Sequence, residues 1–104
     1  MTVPEWTPQE VEQKLLSGEK LNLVDVRERE EWVEGHIAEA RLIPLSELQD
    51  RLDELNGEDK PLVMVCRSGN RSGKACDYLQ QLGYSVVNVK GGMLNWTGEV
   101  VTGE

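Results

Sequence analysis

Residues 66–74, Cys-Arg-Ser-Gly-Asn-Arg-Ser-Gly-Lys, place a cysteine among three cations and no acid. The chain has 104 residues and a formal net charge of −8, so outside this +3 stretch the other 95 residues carry −11. A cationic island in such a chain reads either as a solvated loop or as a place that holds an anion. What the stretch can do to the sulfur of Cys66 separates the two readings.

Val65 to Ser72 can bend into a cradle between a strand and a helix. Successive backbone N–H groups then turn inward as an anion-binding nest. The helix N-terminus adds roughly half a positive charge. Gly69 allows a backbone shape that a side chain would obstruct, and Asn70 is among the residues that tolerate a left-handed conformation. Arg67 and Arg71 contribute full charges. A free thiol of pKa about 8.5 is only about 3% ionised at pH 7. Lowering it by about two units, at about 2.7 kcal/mol, makes roughly three-quarters of it thiolate. Such a site suits an anionic nucleophile that attacks an anionic substrate and carries a covalent intermediate. The commonest fate of a free cysteine is an inert place in the core, and the polar, positive surroundings of Cys66 speak against it.

The elements around this loop follow from pattern. Thr7-Pro8-Gln9-Glu10 is a capping box that opens a helix, which Gly18 closes. Leu21–Val26 reads as a buried strand, Arg27–Glu34 as a short charged helix stopped by Gly35, and Arg41–Ile43 as a brief strand ended by Pro44. Ser46 caps a helix bearing Leu48, Leu52 and Leu55, with Asn56-Gly57 ending it. Pro61–Val65 is a nearly continuous apolar run, as in a parallel strand covered on both faces. A helix from about Ser72 to Leu82 follows the loop, with Ala75, Leu79 and Leu82 on one face and Gly83 closing it. Ser85–Val89 is another strand, and Gly91-Gly92 turns into a short helix with Met93, Leu94 and Trp96. Helices alternating with short apolar strands predict an α/β fold with a mainly parallel sheet. Ligands of such sheets bind beyond the carboxyl ends of the strands, where Cys66 falls.

The length suits one domain over residues 1–104. Two cysteines and one histidine form neither a disulfide framework nor a zinc set, so no metal is expected. No apolar run approaches the roughly 20 residues of a membrane span. The first residues lack the basic start and apolar stretch of a secretory signal, which predicts a cytoplasmic protein. The acidic balance argues against nucleic acid and anionic membranes as partners.

At these residues the chain resembles the single-domain rhodanese family of sulfurtransferases. Cys66–Ser72 matches that family's active-site loop. Val24-Asp25-Val26-Arg27, Glu31-Trp32, Gly35-His36-Ile37 and Ala40 through Ile43-Pro44-Leu45 match its upstream signature, and Gly91-Gly92 followed by Trp96 its C-terminal one. The resemblance implies a three-layer sandwich, with a central sheet of about five strands flanked by helices. It implies a persulfide on Cys66, the outer sulfur held by backbone amides of residues 67–71, and no cofactor. A small anionic donor such as thiosulfate would supply sulfur, and cyanide or a thiol, small or on a protein, would accept it. A sulfur-carrier module that takes persulfide sulfur from a partner protein is the alternative, since the same nucleophile serves both. A cysteine phosphatase is a weaker rival. Its signature places Arg six residues after the Cys, whereas here the sixth is Ser72 and Arg71 comes one earlier, giving a smaller cradle. The loop also offers no acid to protonate a phosphoester leaving group.

The other candidates divide into substrate contacts and supports. Arg67 reads as an anion-attracting residue at the mouth or as a solvated side chain. Arg71 reads as a brace to loop backbone or a nearby carboxylate. Ser68 and Asn70 bond within the loop or contact substrate, and these stay open. Ser72 reads as the cap of the following helix, and Lys74 as a surface charge in its first turn. Asp25 and Arg27 are expected to form an ion pair that fixes the loop. Cys76 fits a small core residue better than a resolving thiol. His36 is read as structural, because a nest leaves Cys66 no need of a base. Trp32 and Trp96 are read as packing residues, and Glu28, Glu30, Glu31 and Glu34 as a solvated face.

Overall fold

In the computed structural model, which describes residues 3–55 and 60–104, every strand pairing is parallel. In chain order the elements are β1 (Glu5–Trp6), α1 (Pro8–Leu16), β2 (Asn22–Asp25), α2 (Arg29–Glu34), β3 (Arg41–Leu42), a 3-10 segment (Leu45–Leu55), β4 (Leu62–Val65), α3 (Asn70–Gln81), β5 (Val86–Val89) and a 3-10 turn (Gly92–Asn95). The sheet order is β1-β5-β4-β2-β3. The sheet thus has the five parallel strands and flanking helices expected of the three-layer fold.

The central strands are Leu-, Val- and Met-rich because both faces are covered. Strand alternation sends Leu62, Met64 and Val86 to one face, with Val24 and Val26, against Ala75, Cys76 and Leu79 of α3 and Leu48 of the 3-10 segment. Leu23, Val63, Val65, Val87 and Val89 take the other face, with Val11 of α1. β4 lies between β5 and β2, so the residue that follows Val65 emerges at the middle of the sheet's carboxyl edge.

The capping box on α1 forms as read: the Thr7 side chain accepts from the Glu10 N–H and the Glu10 carboxylate from the Thr7 N–H. Three expectations are corrected. Residues 45–55 form 3-10 structure broken at Arg51 (φ −121°, ψ 24°), and Ser46 lies inside the first turn with its hydroxyl on the Glu28 carboxylate. The expected stop at Asn56-Gly57 lies outside the described residues. α3 begins at Asn70, with Gly69 as its cap at φ +98°, so Ser72 is a buried residue of the first turn and does not cap. Asn70 accordingly is helical and not left-handed. β1, two residues paired to β5, has too short a run to show by alternation.

Candidate active site

Cys66 leaves the end of β4 on the face that packs against α3, and its side chain is 1% exposed. Its sulfur accepts the Gly69 N–H at 3.0 Å, and the Ser72 hydroxyl oxygen lies 3.3 Å away. Burial pushes this thiol up. The Ser72 hydroxyl and the amides of Ser72, Gly69 and Ser68 outweigh burial and bring it below the ordinary thiol value. The amides acting on the Cys66 sulfur thus include that of Ser72, one residue beyond the 67–71 range that the family resemblance implies for an outer sulfur.

Two backbone bonds hold the loop from outside. The Met93 N–H donates to the Cys66 carbonyl at 2.8 Å and the Leu94 N–H to that of Arg67 at 2.9 Å. In a trans peptide the C=O and the next N–H point opposite ways. Anchoring the Cys66 and Arg67 carbonyls outward therefore turns the Arg67 and Ser68 N–H groups inward. This is what the Gly91-Gly92 turn does for the site, and sequence gave it only as a motif.

Arg71 holds Glu31 of α2 in a bidentate pair, both contacts 2.7 Å. Of the two braces the sequence leaves open, loop backbone or a carboxylate, this is the second, and its partner Glu31 reads in the sequence as part of a solvated face. The Arg71 hydrogen bonds hold the Glu31 carboxyl down to about 2, against a usual 4.5. Since a depressed carboxyl pKa adds stability above its unfolded value, the pair stabilises fully above about pH 4.5 and loses its effect toward pH 2. About a third of each side chain is exposed, so about 1 kcal/mol is the appropriate scale. Glu31→Gln should lower stability by about that amount at neutral pH, and the gap to the unmodified protein should close on acidification. Urea unfolding at pH 7 and pH 2.5 measures this, and a gap that persists at pH 2.5 would show another origin.

Asp25 and Arg27 do pair, buried, with the guanidinium at 2.9–3.1 Å from the carboxylate. The expectation that they fix the loop is corrected: Arg27 also donates to the Gly35 carbonyl at 2.8 Å, tying the end of β2 to the end of α2. They reach the loop through α2, whose Glu31 pairs with Arg71. Arg67 and Ser68 are exposed on the loop, and Asn70 is exposed at the start of α3. Arg67 borders a concavity of about 380 Å³ with Arg27, Glu31, Glu34, Gly35, Met93 and Leu94.

Cys76 is wholly buried in the α3 face of the core, and burial pushes its thiol up to about 12. His36 stacks on Trp32 with ring centroids 3.6 Å apart, and its Nδ1 lies 2.8 Å from the Trp32 carbonyl. Its backbone pairs with Val101. Trp96 donates its indole N–H to the Glu99 carbonyl.

Asn88 was not singled out in the sequence. β4 and β5 align Met64 with Asn88, on the same sheet face as Cys66, so its amide reaches the loop. Its Nδ2 donates to the Gly69 carbonyl at 3.2 Å, and its Oδ1 accepts from the Ser72 hydroxyl at 2.5 Å. The signal was an asparagine two residues from Val86 in an apolar strand, a core position where a polar group must find partners.

Among the described residues, no group of three or more His, Cys, Asp or Glu could hold a metal ion, and no helix is long and apolar enough to cross a membrane. A family model described as a rhodanese-like domain matches residues 7–99. The chain is 40% identical over 99 residues to YtwF of Bacillus subtilis, covering 95% of each. It is 38% identical over 95 residues to a protein of Allochromatium vinosum named Sulfurtransferase, covering 90% of this chain and 88% of that one. A crystal structure of a rhodanese-like domain protein from Staphylococcus aureus superposes with a TM-score of 0.89 at 35% identity, covering 98% of this chain and all of the other.

Proposed function

This chain belongs to the rhodanese-like domain family of sulfurtransferases, and from that premise we propose that it moves sulfane sulfur from thiosulfate to a thiophilic acceptor through a persulfide on Cys66. The observation that carries the reading is the Gly69 amide at 3.0 Å from a sulfur whose cradle brings its thiol below the ordinary range. The Cys66 thiolate attacks the outer sulfur of thiosulfate. A Cys66–sulfur bond forms, the donor's S–S bond breaks, and sulfite leaves with its electron pair. The persulfide that remains is anionic, and amides of residues 67–71 hold its outer sulfur. Cyanide or a thiol, small or on a protein, then takes that sulfur, and the electron pair of the broken S–S bond returns to Cys66. Dividing one transfer into two covalent steps gives ping-pong kinetics.

Arg67, exposed beside the loop, draws the donor anion toward the sulfur. Arg71 holds Glu31 with both arms, which supports sulfur transfer over phosphoryl transfer, where a loop arginine would grip the substrate. A thiolate nucleophile works where thiols are kept reduced, and we place the domain in the cytoplasm on that ground.

Mass spectrometry after exposure to thiosulfate tests the reading. The expected result is one added sulfur atom on the peptide that contains Cys66, removed by cyanide. No added sulfur, or sulfur on Cys76 instead, would overturn it.

A further inference from the structure

Three polar groups meet behind the Cys66 sulfur, and their hydrogen count decides how they bond. The Gly69 carbonyl can only accept. The Asn88 group 3.2 Å from it must therefore be the amide nitrogen, and the oxygen of that amide faces Ser72. The two oxygens of Asn88 and Ser72 lie 2.5 Å apart, and only the hydroxyl has a proton to give. Ser72 thus spends its one proton on Asn88 and turns a lone pair toward the sulfur 3.3 Å away. In the thiol state this closes a chain without a gap: S–H to Ser72, Ser72 to Asn88, Asn88 to Gly69. In the thiolate state no proton is left between the Ser72 oxygen and the sulfur unless the hydroxyl turns away from Asn88.

We propose that Asn88 is a positioning residue for the nucleophile: by claiming the single proton of the Ser72 hydroxyl, it decides whether that hydroxyl accepts from Cys66 or donates to it. This rests on the reading of Cys66 as the nucleophile and adds a control on it. Asn88 and the thiolate compete for one proton, so Asn88 tempers the acidity that the loop amides create. Ser72 and Asn88 are both buried, so water has little access to relieve the competition.

Few other charges act on this sulfur. β4, β5 and the turn Gly92–Asn95 carry no ionisable side chain apart from the sulfur's own neighbourhood at the loop. Arg71 in the first turn of α3 and Cys76 deeper in that helix both interact electrostatically with Cys66. Arg67 stands on the loop itself, and Glu31 faces it through Arg71. None of these changes when Asn88 or Ser72 is replaced by an uncharged residue.

The test titrates the Cys66 thiol by its rate of alkylation with iodoacetamide against pH, a readout that involves no sulfur donor. It therefore fails or succeeds independently of thiosulfate being the substrate. Asn88→Leu keeps the branched heavy-atom skeleton and removes both bonds, leaving the Gly69 carbonyl with the Gly73 N–H. It should free the Ser72 proton for the sulfur and lower the thiol pKa by about one unit, a roughly tenfold gain in thiolate well below the pKa. Ser72→Ala takes away the shared proton. In that background Asn88→Leu should do nothing further, because Asn88 acts through the hydroxyl. An unchanged or raised pKa in folded Asn88→Leu, or a shift that persists without the hydroxyl, would overturn the proposal. Should Asn88→Leu fail to fold, the S–H stretching band of Cys66 gives the answer with Asn88 in place. It should sit at lower frequency in the unmodified protein than in Ser72→Ala, and a band at the same frequency in both would refute the S–H donation.

Discussion

Cys66→Ser is expected to abolish sulfur transfer, by at least about a thousandfold, while leaving thermal unfolding close to that of the unmodified protein. A serine hydroxyl fits the cradle, but it ionises far above any working pH and cannot carry a persulfide. Cys76→Ala is expected to keep transfer within about twofold and to cost about 1 kcal/mol of stability through the small cavity it leaves. The contrast has a physical origin. Both sulfurs are buried, yet amides and a hydroxyl surround Cys66 whereas burial raises Cys76 to about 12. At pH 7 a thiol of that pKa is ionised to about one part in 10⁵. Brief iodoacetamide treatment should therefore add one carbamidomethyl group, on Cys66, and end activity with the same time course. Activity that survives full alkylation of Cys66 would remove that residue from the reaction, and near-complete loss in Cys76→Ala would give the second thiol a part in it.

Sequence pattern carries the sheet and the loop because their causes are local. A run of β-branched residues between turn signals makes a strand wherever it is covered, and Thr7 to Glu10 close their capping box within one turn. What pattern does not carry are pairings across the sheet edge. Glu31 looks like one charge of a solvated face because its partner Arg71 is forty residues away on another helix. Asp25 and Arg27 announce an ion pair by their spacing, but the third partner, the Gly35 carbonyl, depends on where α2 ends. Ser72 has the residue type of a cap, yet Gly69 takes that position because only a residue at φ +98° turns the loop into α3. That shift of the helix start by two residues is what buries the Ser72 hydroxyl against Cys66 and Asn88.

Gly92→Ala is expected to be the most damaging single-methyl change in the site. Gly92 is buried at φ +55°, where a side chain costs about 1–2 kcal/mol. A Cβ there would also stand 2.8 Å from the carbonyl carbon and oxygen of Arg67 and closer still to the Cys66 carbonyl oxygen. These are backbone atoms, so relief requires the turn to move off the loop, adding about 1–3 kcal/mol. The sum, about 2–5 kcal/mol, is a large share of the roughly 5–15 kcal/mol that holds a domain of this size. Gly18 supplies the control: it too has positive φ, +87°, but nothing lies within 4 Å of its would-be Cβ. Gly18→Ala should show the backbone strain alone, so urea unfolding of the two variants isolates the clash. Movement of the turn has a second consequence, because the Met93 and Leu94 amides then release the Cys66 and Arg67 carbonyls. Peptides freed to rotate no longer aim their N–H groups at the sulfur, so the folded fraction of Gly92→Ala should show a raised Cys66 pKa and slower sulfur transfer. If Gly92→Ala costs no more than Gly18→Ala and titrates like the unmodified protein, the turn does not hold the cradle in shape.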